Sequence, residues 1–374
     1  MPLLSLGMMR SMHSWKRCAA EEIDPRNQLD LEHLVRRALE LGIIHLETAR
    51  GYGTSEEQLG QILRHVPRHR YILQTKVAPQ DDPDRFRANV LDSMARLGQD
   101  RLDLLAVHGL NDYRSLWQVC RPGGCLAAAR RLQAEGRVGW IGFSGHGSTR
   151  VILAAVRHQE DGGFDYLNLH WYTIFQRHTP VLEEARRRDL GVFIISPTDK
   201  GGMLQTPPPL LEDLSTPLSP MQFNDLFCLQ REEIHTISVG AARPADFRAH
   251  LDALAHLDDH ALTGRIYGRW EQCMLQRTGH RRPDSLWDRF PSWDETPGYI
   301  NIPLILWLGN LARGWDLLAY SRQRYRKLGQ DMPWVPGNDA GQINRYDLGR
   351  IAEQAGLTAD DLVTRLAGIH RLLC

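Results

Sequence analysis

The sequence predicts an α/β protein: a (β/α)8 TIM barrel with a helical C-terminal extension. Eight short apolar runs alternate with amphipathic helical patterns over about 255 residues, as the strands and helices of such a barrel do. No run is followed by a G-x-G-x-x-G motif, which argues against an open doubly wound sheet. We therefore expect a barrel over residues 1–258 and a helical extension over residues 259–374 that packs on it.

The eight predicted strands are apolar on both faces and are bounded by Gly, Pro or polar residues, as buried parallel strands are. They are LLSLG (3–7), IIHLETA (43–49), YILQTKV (71–77), LDLLAVHG (102–109), GWIGFSG (139–145), FDYLNLHW (164–171), GVFIISP (191–197) and HTISVGA (235–241). Helical patterns lie between them. DLEHLVRRALELG ends on Gly42 and DPDRFRANVLDSMARLG ends on Gly98, and glycine is common just after a helix C-terminus.

Beyond residue 258, helical patterns are joined by loops rich in Pro, Trp and Gly, such as RFPSWDETPG and MPWVPGN. The apolar spacing from Leu304 to Tyr320 is typical of a helix that packs on other structure. We interpret the aromatic residues of this stretch, Trp307, Trp315 and Tyr320, as packing groups rather than ligand-binding groups.

The composition excludes several classes of protein. The chain has 45 basic and 45 acidic residues, so no global field draws it to nucleic acid or to anionic lipid. It has neither an apolar run of membrane-spanning length nor a recognisable signal peptide. Its six cysteines form no C-x-x-C pair, which argues against disulfide, zinc and iron–sulfur frameworks. We expect a cytoplasmic protein without a metal, and the oligomeric state stays open.

Polar groups stand at the ends of successive predicted strands, where the active site of a (β/α)8 barrel lies. Glu47 is near the end of the second strand, with Tyr52 in the loop after it. Lys76 ends the third strand and His108 the fourth. Lys76 is also one of only four lysines in the chain, beside Lys16, Lys200 and Lys327.

These four groups have complementary chemistry. A tyrosine hydroxyl titrates near 10, and a neighbouring ammonium stabilises its phenolate and lowers its pKa. An acid beside the lysine keeps it charged and oriented, and a histidine can hold a carbonyl oxygen by a hydrogen bond. Glu47, Tyr52, Lys76 and His108 together therefore predict proton transfer coupled to carbonyl reduction. No serine has a plausible His/Asp relay for acyl transfer.

The same segments resemble the aldo-keto reductase family over residues 3–257. ETARGYGTSEEQLGQIL is similar to the family's D-T-A-x-x-Y-G-x-S-E-x-x-L-G-x-x-L segment, LQTKVAP to its T-K strand and LDLLAVHG to its D-L-x-x-x-H strand. IGFSGH, FIISPTDKGGML and ISVGAARPADFRAHLDAL are similar to its later cofactor-contacting strands. The resemblance implies NAD(P)H-dependent reduction of an aldehyde or ketone. Tyr52 would be the proton donor, Lys76 would lower its pKa and His108 would orient the carbonyl.

Two departures from the family pattern stand out. Glu47 occupies the place of the family's Asp, and its extra methylene moves the carboxylate by about 1.5 Å. Because a misplacement of about 1 Å can cost on the order of 100-fold in rate, this residue bears directly on activity. The given sequence begins almost at the first predicted strand, so we expect no counterpart of the family's N-terminal β-hairpin within it; either the sequence starts late or another segment closes that end of the barrel.

The resemblance also suggests where the nicotinamide cofactor binds. Ser144 and Asn168 are polar groups for its carboxamide, and Ile195 stands where a stacking aromatic is expected. Further along lie the remaining candidates, which are Ser196, Lys200, Gly201, Gly240, Arg243 and Arg248. Lys200 is within predicted reach of the pyrophosphate, because Gly201 permits close backbone approach. Arg243 or Arg248 can pair with a 2′-phosphate, which favours NADP(H) over NAD(H), although in an arginine-rich chain either can equally be solvated surface.

The C-terminal region is similar to extensions of a family subgroup that can carry ferredoxin-like C-x-x-C-x-x-C clusters. Here those cysteines are absent, and Cys273 and Cys374 alone cannot hold a cluster, so we expect no iron–sulfur centre. Two alternatives remain. One is an NADP(H)-binding sensor or scaffold with weak or no turnover, and the other is a metal-dependent hydrolase using His108, His146 and His170.

Overall fold

A computed structural model describes residues 1–330, 332 and 334–374, and within them eight parallel strands form a closed barrel in sequence order. The strands are β1 (Leu4–Gly7), β2 (His45–Glu47), β3 (Ile72–Val77), β4 (Leu102–His108), β5 (Val138–Ser144), β6 (Tyr166–Leu169), β7 (Gly191–Ile195) and β8 (Thr236–Val239). Strand β1 pairs with both β2 and β8, which closes the barrel. The predicted fold class is confirmed, and each predicted apolar run overlaps one strand.

Helices follow the strands and continue beyond the last of them. They are α1 (Pro25–Glu40), α2 (Ser55–Leu63), α3 (Pro83–Leu97), α4 (Tyr113–Cys120), α5 (Cys125–Ala134), α6 (Thr149–Arg157), α7 (Thr179–Arg187), α8 (Pro209–Ser215), α9 (Pro220–Leu229), α10 (Phe247–Leu254), α11 (His260–Thr278), α12 (Ile302–Gly314), α13 (Leu318–Tyr325), α14 (Gly349–Gln354) and α15 (Ala359–Leu373). Across the described ranges, every helix falls short of the length and apolarity that a bilayer crossing requires.

Helix α3 shows how local sequence sets an element's limits. The Asp82 side chain accepts a hydrogen bond from the backbone N–H of Asp84, and Pro83 occupies the first helical position. At the other end Gly98 adopts a left-handed φ of 63°, which ends the helix as the sequence predicts.

Three polar side chains in the barrel interior are joined in a row by hydrogen bonds. His45 Nε2 lies 2.8 Å from Gln74 Oε1, and Gln74 Nε2 donates to Asn168 Oδ1 over 2.8 Å. Burial lowers the pKa of His45 to about 4, so its ring is neutral at pH 7. On the neighbouring strands β6 and β7, the Tyr166 and Phe193 rings stack with centroids 4.9 Å apart.

The described residues group into two compact units. The first comprises residues 1–171, 178–198 and 225–258 and contains the barrel strands, and the second comprises residues 172–177, 199–224 and 259–374. The division after residue 258 coincides with the expected one, and the second unit also takes two earlier segments of the chain. That residues 1–258 and 259–374 are separate domains stays a prediction.

The second unit has an aromatic core around helix α12. Trp315 Nε1 donates to the carbonyl oxygen of Trp270, and Trp307 Nε1 donates to that of Ile174. Trp307, Trp315 and Tyr320 are all buried, which agrees with their interpretation as packing groups. The single helix expected from Leu304 to Tyr320 is wrong, because Asp316 has a left-handed φ of 54° and separates α12 from α13.

Candidate active site

The structure brings Glu47, Tyr52, Lys76 and His108 together at one end of the barrel. Glu47 is the last residue of β2 and His108 the last residue of β4. Lys76 is the penultimate residue of β3, and Tyr52 lies in the loop that joins β2 to α2. Parallel strands deliver their carboxyl ends to the same rim, so residues far apart in sequence become neighbours.

Lys76 is at the centre of this group. Its Nζ donates a short hydrogen bond to Glu47 Oε1, a second to the Thr48 carbonyl oxygen over 3.0 Å and a third to the Tyr52 hydroxyl over 3.4 Å. The side chains of Lys76 and Glu47 are 1% and 5% exposed. The longer acid at position 47 therefore reaches the lysine, so the substitution of Asp by Glu does not break the contact.

Glu47 and Lys76 form a buried ion pair. Burial acts to raise the pKa of Glu47, but the charge and hydrogen bond of Lys76 outweigh it and leave that pKa below its ordinary value. Burial acts to lower the pKa of Lys76, and the neighbouring Glu47 and Tyr52 outweigh it in the opposite direction. Both groups are therefore charged at neutral pH.

The Tyr52 hydroxyl has a pKa above its ordinary value. Burial raises this pKa, Lys76 opposes the increase, and the Glu47 carboxylate adds to it. The lysine thus acts in the direction that the sequence predicts, but the net shift is upward because burial dominates. Tyr52 consequently stays protonated at neutral pH, which its predicted role as a proton donor requires.

His108 and Trp15 both present their rings to Tyr52. The Tyr52 and His108 ring centroids lie 5.6 Å apart at an interplanar angle of 88°. The Trp15 ring lies 6.4 Å from Tyr52 at 86°, and Trp15 is 64% exposed. Sequence reasoning missed Trp15, although its place in the loop after the first predicted strand puts it at the correct end of the barrel.

The loop that carries Tyr52 is fixed to the loop after β1. Thr54 N donates to the Ser14 carbonyl oxygen over 3.1 Å, and Ser14 N donates to Thr54 Oγ1 over 3.1 Å. Gly53 has a φ of 48°, and a Cβ there would lie 1.8 Å from the Ser14 oxygen. Only glycine therefore fits beside Tyr52 where these two loops meet.

A second buried network lies behind β3 and was also missed by sequence reasoning. Thr75 Oγ1 donates to Glu56 Oε1 over 2.6 Å, and Arg96 Nη1 donates to Glu56 Oε2 over 3.3 Å. The Thr48 and Ser55 hydroxyls lie 2.7 Å apart. These contacts connect β3 to α2 and α3 and hold the strand that carries Lys76.

Ser144, Asn168 and Ser196 lie at the same end of the barrel, on β5, on β6 and directly after β7. Ser144 is buried, and its Oγ accepts a hydrogen bond from Gly109 N over 3.3 Å. Asn168 is 1% exposed, and its Nδ2 has no hydrogen-bond partner among the described residues. Ile195, the last residue of β7, is largely buried.

The remaining barrel candidates follow β8. Gly240 comes directly after that strand. Arg243 is 79% exposed and pairs with Asp246 at 3.2 Å, and Arg248 is 82% exposed and pairs with Asp252 at 2.9 Å. Each arginine thus has a carboxylate partner on its own segment, and their part in cofactor binding stays a prediction.

Lys200 and Gly201 belong to the second unit rather than to the barrel unit. The backbone oxygen of Lys200 accepts a hydrogen bond from the Tyr320 hydroxyl over 3.0 Å. Lys200 Nζ lies 5.2 Å from the centroid of the Trp334 ring. The expected contact of Lys200 and Gly201 with a pyrophosphate stays a prediction.

His146 and His170 stack on each other, with ring centroids 4.3 Å apart and an interplanar angle of 25°. In the part of the chain that the structure describes, no three His, Cys, Asp or Glu side chains are grouped as ligands of a metal ion.

The fold and the site define a (β/α)8 barrel protein with a buried acid–base group at the strand ends. Residues 3–238 match the family model described as Aldo/keto reductase family. The chain belongs to the aldo/keto reductase family, a family of oxidoreductases.

Two solved structures have a fold similar to that of this chain. The chain matches the holo form of an aldo-keto reductase from Bacillus halodurans at 19% identity and a TM-score of 0.57, covering 71% of this chain and 91% of that one. It matches an aldo-keto reductase from Klebsiella pneumoniae, solved in complex with NADPH, at 19% identity and a TM-score of 0.55, with the same coverage of 71% and 91%.

A curated relative is closer in sequence over a shorter stretch. It is a 6-dehydroglucose reductase from Novosphingobium aromaticivorans, 37% identical over 127 residues. The match covers 30% of this chain and 42% of that relative's length.

Proposed function

We propose that the chain is an NAD(P)H-dependent reductase of a small aldehyde or ketone, with Tyr52 as the proton donor. The observation that carries the proposal is the position of Lys76, whose buried ammonium contacts both Glu47 and the Tyr52 hydroxyl. A charged lysine between an acid and a tyrosine serves proton transfer, because it stabilises the phenolate that remains when the tyrosine gives up its proton.

In this account the carbonyl is reduced to an alcohol by one hydride and one proton. The hydride for the carbonyl carbon would come from a reduced nicotinamide when one is bound. Tyr52 gives its hydroxyl proton to the carbonyl oxygen, and Lys76 stabilises the resulting phenolate. Glu47 keeps Lys76 charged and in place. The Tyr52 proton is restored from solvent after the alcohol leaves.

His108 is proposed to orient the carbonyl. Its ring stands nearly perpendicular to the Tyr52 ring at a centroid distance of 5.6 Å. A carbonyl oxygen held between the imidazole and the phenol receives two hydrogen bonds from groups that are already positioned. Such preorganisation stabilises the negative charge that develops on oxygen during hydride transfer.

The buried polar groups of the barrel rim fit a nicotinamide cofactor. Asn168 Nδ2 is a buried donor without a partner among the described residues, and a carboxamide oxygen would satisfy it. Ser144 stands on the neighbouring strand. We propose NADP(H) as the preferred cofactor, with NAD(H) possible. The NADPH complex of the Klebsiella pneumoniae structure and the predicted roles of Arg243 and Arg248 support this preference.

The substrate is proposed to be a small carbonyl compound. The Novosphingobium aromaticivorans relative is named for the reduction of an oxidised sugar, so keto-sugars belong among the first compounds to assay. A longer acid at position 47 could have failed to contact Lys76, which would favour a sensor or scaffold that only binds the cofactor. Because Glu47 does form an ion pair with Lys76, we favour turnover.

The test begins with cofactor binding. Titration of the full chain with NADPH and with NADH, followed by the fluorescence of the reduced nicotinamide, should show saturable binding with NADPH the tighter ligand. NADPH oxidation is then followed with aldehydes, ketones and oxidised sugars. Saturable binding together with turnover of any of these compounds supports the proposal, and the absence of binding by both cofactors rejects it.

A further inference from the structure

The barrel interior holds three polar side chains where such barrels usually hold apolar ones. His45, Gln74 and Asn168 lie on β2, β3 and β6, and their exposed fractions are 1%, 0% and 1%. We call these three residues the interior chain. Branched apolar side chains fill most (β/α)8 interiors, and a buried polar group is unfavourable unless it is hydrogen-bonded. Because apolar residues would fill the same space at lower cost, the interior chain points to a role beyond packing.

The Gln74–Asn168 hydrogen bond crosses the barrel. Strands β3 and β6 are three places apart in the closed strand order, so the 2.8 Å bond from Gln74 Nε2 to Asn168 Oδ1 spans the interior. At the other end of the same amide, Gln74 Oε1 lies 2.8 Å from His45 Nε2. His45 and Gln74 stand two positions before Glu47 and Lys76 and share their face of the sheet, since side chains alternate along a strand. The interior chain thus connects the strands of the acid–base group to Asn168.

The hydrogen bonds of the interior chain run in one direction. Because Gln74 donates from Nε2 to Asn168, its amide oxygen Oε1 accepts, and His45 Nε2 is the donor to that oxygen. Burial lowers the pKa of His45 to about 4, so its ring has a single N–H at pH 7. His45 Nδ1 has no hydrogen-bond partner in the described ranges. A buried N–H without a partner is rarer than an unpaired acceptor, so the proton belongs on Nε2.

This direction decides which end of the Asn168 amide remains available. Asn168 Oδ1 accepts from Gln74, whereas Asn168 Nδ2 has no partner among the residues that the structure describes. If Asn168 turned by itself, its NH2 group would face the NH2 group of Gln74, and the hydrogen bond between them would be lost. Asn168 therefore offers a donor and not an acceptor.

We propose that His45 and Gln74 are positioning residues of the cofactor site. They hold the Asn168 amide so that its Nδ2 donates to the carboxamide oxygen of a bound nicotinamide. The inference rests on the proposed function, in which Asn168 binds that carboxamide, and it adds two residues that act through Asn168. A donor fixed in this way distinguishes the carboxamide oxygen from the carboxamide NH2, because an NH2 group cannot accept from it.

The histidine tautomer tests the direction of the interior chain without any cofactor. In the full chain labelled with ¹⁵N-histidine, NMR correlations between ring nitrogens and ring protons distinguish the two neutral tautomers, and the signals lost in His45→Gln belong to His45. We expect the Nε2–H tautomer at pH 7. The Nδ1–H tautomer would reverse every hydrogen bond of the interior chain, leave Asn168 with an available acceptor and overturn the proposal.

A cofactor analogue tests the consequence for binding. In thio-NADPH a sulfur, which is a weak hydrogen-bond acceptor, replaces the carboxamide oxygen. Gln74→Met keeps a side chain of similar length but removes both hydrogen bonds of the amide. By isothermal titration, we expect the Kd of this variant for NADPH to rise roughly fivefold and its Kd for thio-NADPH to stay near the wild-type value. Gln230→Met is the matched control, because Gln230 Nε2 donates to the Leu257 carbonyl oxygen over 2.9 Å in the same unit, and both of its Kd values should match wild type.

The outcomes separate this proposal from the reductase function. Equal weakening of NADPH and thio-NADPH in Gln74→Met would mean general damage to the site, and no weakening of either would mean that Gln74 does not act on Asn168; each result overturns the proposal. If wild type binds neither compound, the proposed function fails and this inference fails with it, whereas wild-type binding that is unchanged in Gln74→Met rejects this inference alone. The tautomer result does not depend on whether Gln74→Met folds.

Discussion

Lys76 Nζ lies 3.4 Å from the Tyr52 hydroxyl, and the same ammonium forms a buried ion pair with Glu47. Lys76 therefore contacts both the Glu47 carboxylate, which keeps it charged, and the Tyr52 hydroxyl. The three residues come from two strands and one loop, and the barrel places both Glu47 and Tyr52 within hydrogen-bonding distance of Lys76.

The Glu47–Lys76 pair should show strong energetic coupling. Glu47→Gln leaves a buried ammonium without its counter-charge, so we expect the free energy of unfolding to fall by about 3–5 kcal/mol. Lys76→Met should destabilise by a similar amount. The double variant should be more stable than the sum of the two single effects predicts, because it leaves neither charge unpaired. Urea unfolding of all four proteins measures the coupling.

The control for this cycle is an exposed pair. Arg37 and Glu40 lie 3.0 Å apart, and their side chains are 49% and 63% exposed. Glu40→Gln should change the free energy of unfolding by less than about 1 kcal/mol, because solvent screens the pair. Additive effects of the two substitutions at Glu47 and Lys76 would contradict a coupled buried pair.

His45 should make the protein sensitive to acid. Its pKa is about 4 in the folded state, whereas an unfolded histidine titrates at 6.5. Because the unfolded state binds the proton first, His45 causes no loss of stability above pH 6.5 and a growing loss as the pH falls towards 4, roughly 3 kcal/mol in total. Urea unfolding at pH 7 and pH 5 should therefore differ more for wild type than for His45→Gln. His65→Gln, at an exposed histidine, should behave as wild type.

Gly53 should be essential for placing Tyr52. In Gly53→Ala the new Cβ would lie 1.8 Å from the Ser14 oxygen, so the two loops must separate. A displacement of about 1 Å at Tyr52 should reduce kcat/KM on the order of 100-fold. Gly136→Ala is the matched control, because Gly136 has a φ of 76° but nothing within 4 Å of its Cβ position. Similar losses in both variants would mean that backbone strain alone, and not the loop contact, is responsible.

Carbonyl reduction should not decline as the pH rises through neutrality. Burial, opposed by Lys76, raises the pKa of Tyr52, so the donor stays protonated and loses its proton only above its ordinary pKa near 10. We expect kcat/KM for reduction to stay level between about pH 6 and pH 9. A fall centred near pH 7 would indicate that a group other than Tyr52 supplies the proton.

Sequence reasoning succeeded where side-chain chemistry and chain order carry the information. The apolar runs define the barrel, and Glu47, Lys76 and His108 stand at its strand ends because a repeating βα pattern fixes where each strand stops. Their contacts follow from the fold. The reach of Glu47 could not be predicted, because it depends on side-chain conformation inside the barrel.

The features that sequence reasoning missed depend on contacts between distant loops or on burial. The Ser14–Thr54 hydrogen bonds join residues 40 positions apart without any repeating pattern. The net pKa shift of Tyr52 is set by burial, which a list of neighbouring charges does not reveal.

The central claim is that Tyr52 donates the proton. Steady-state NADPH oxidation with a substrate found in the carbonyl panel tests it in wild type, Tyr52→Phe and Tyr113→Phe, the last at an exposed tyrosine. We predict that Tyr52→Phe lowers kcat by roughly 100-fold to 10,000-fold while its Kd for NADPH stays near the wild-type value, and that Tyr113→Phe matches wild type. Equal turnover by wild type and Tyr52→Phe would contradict the claim.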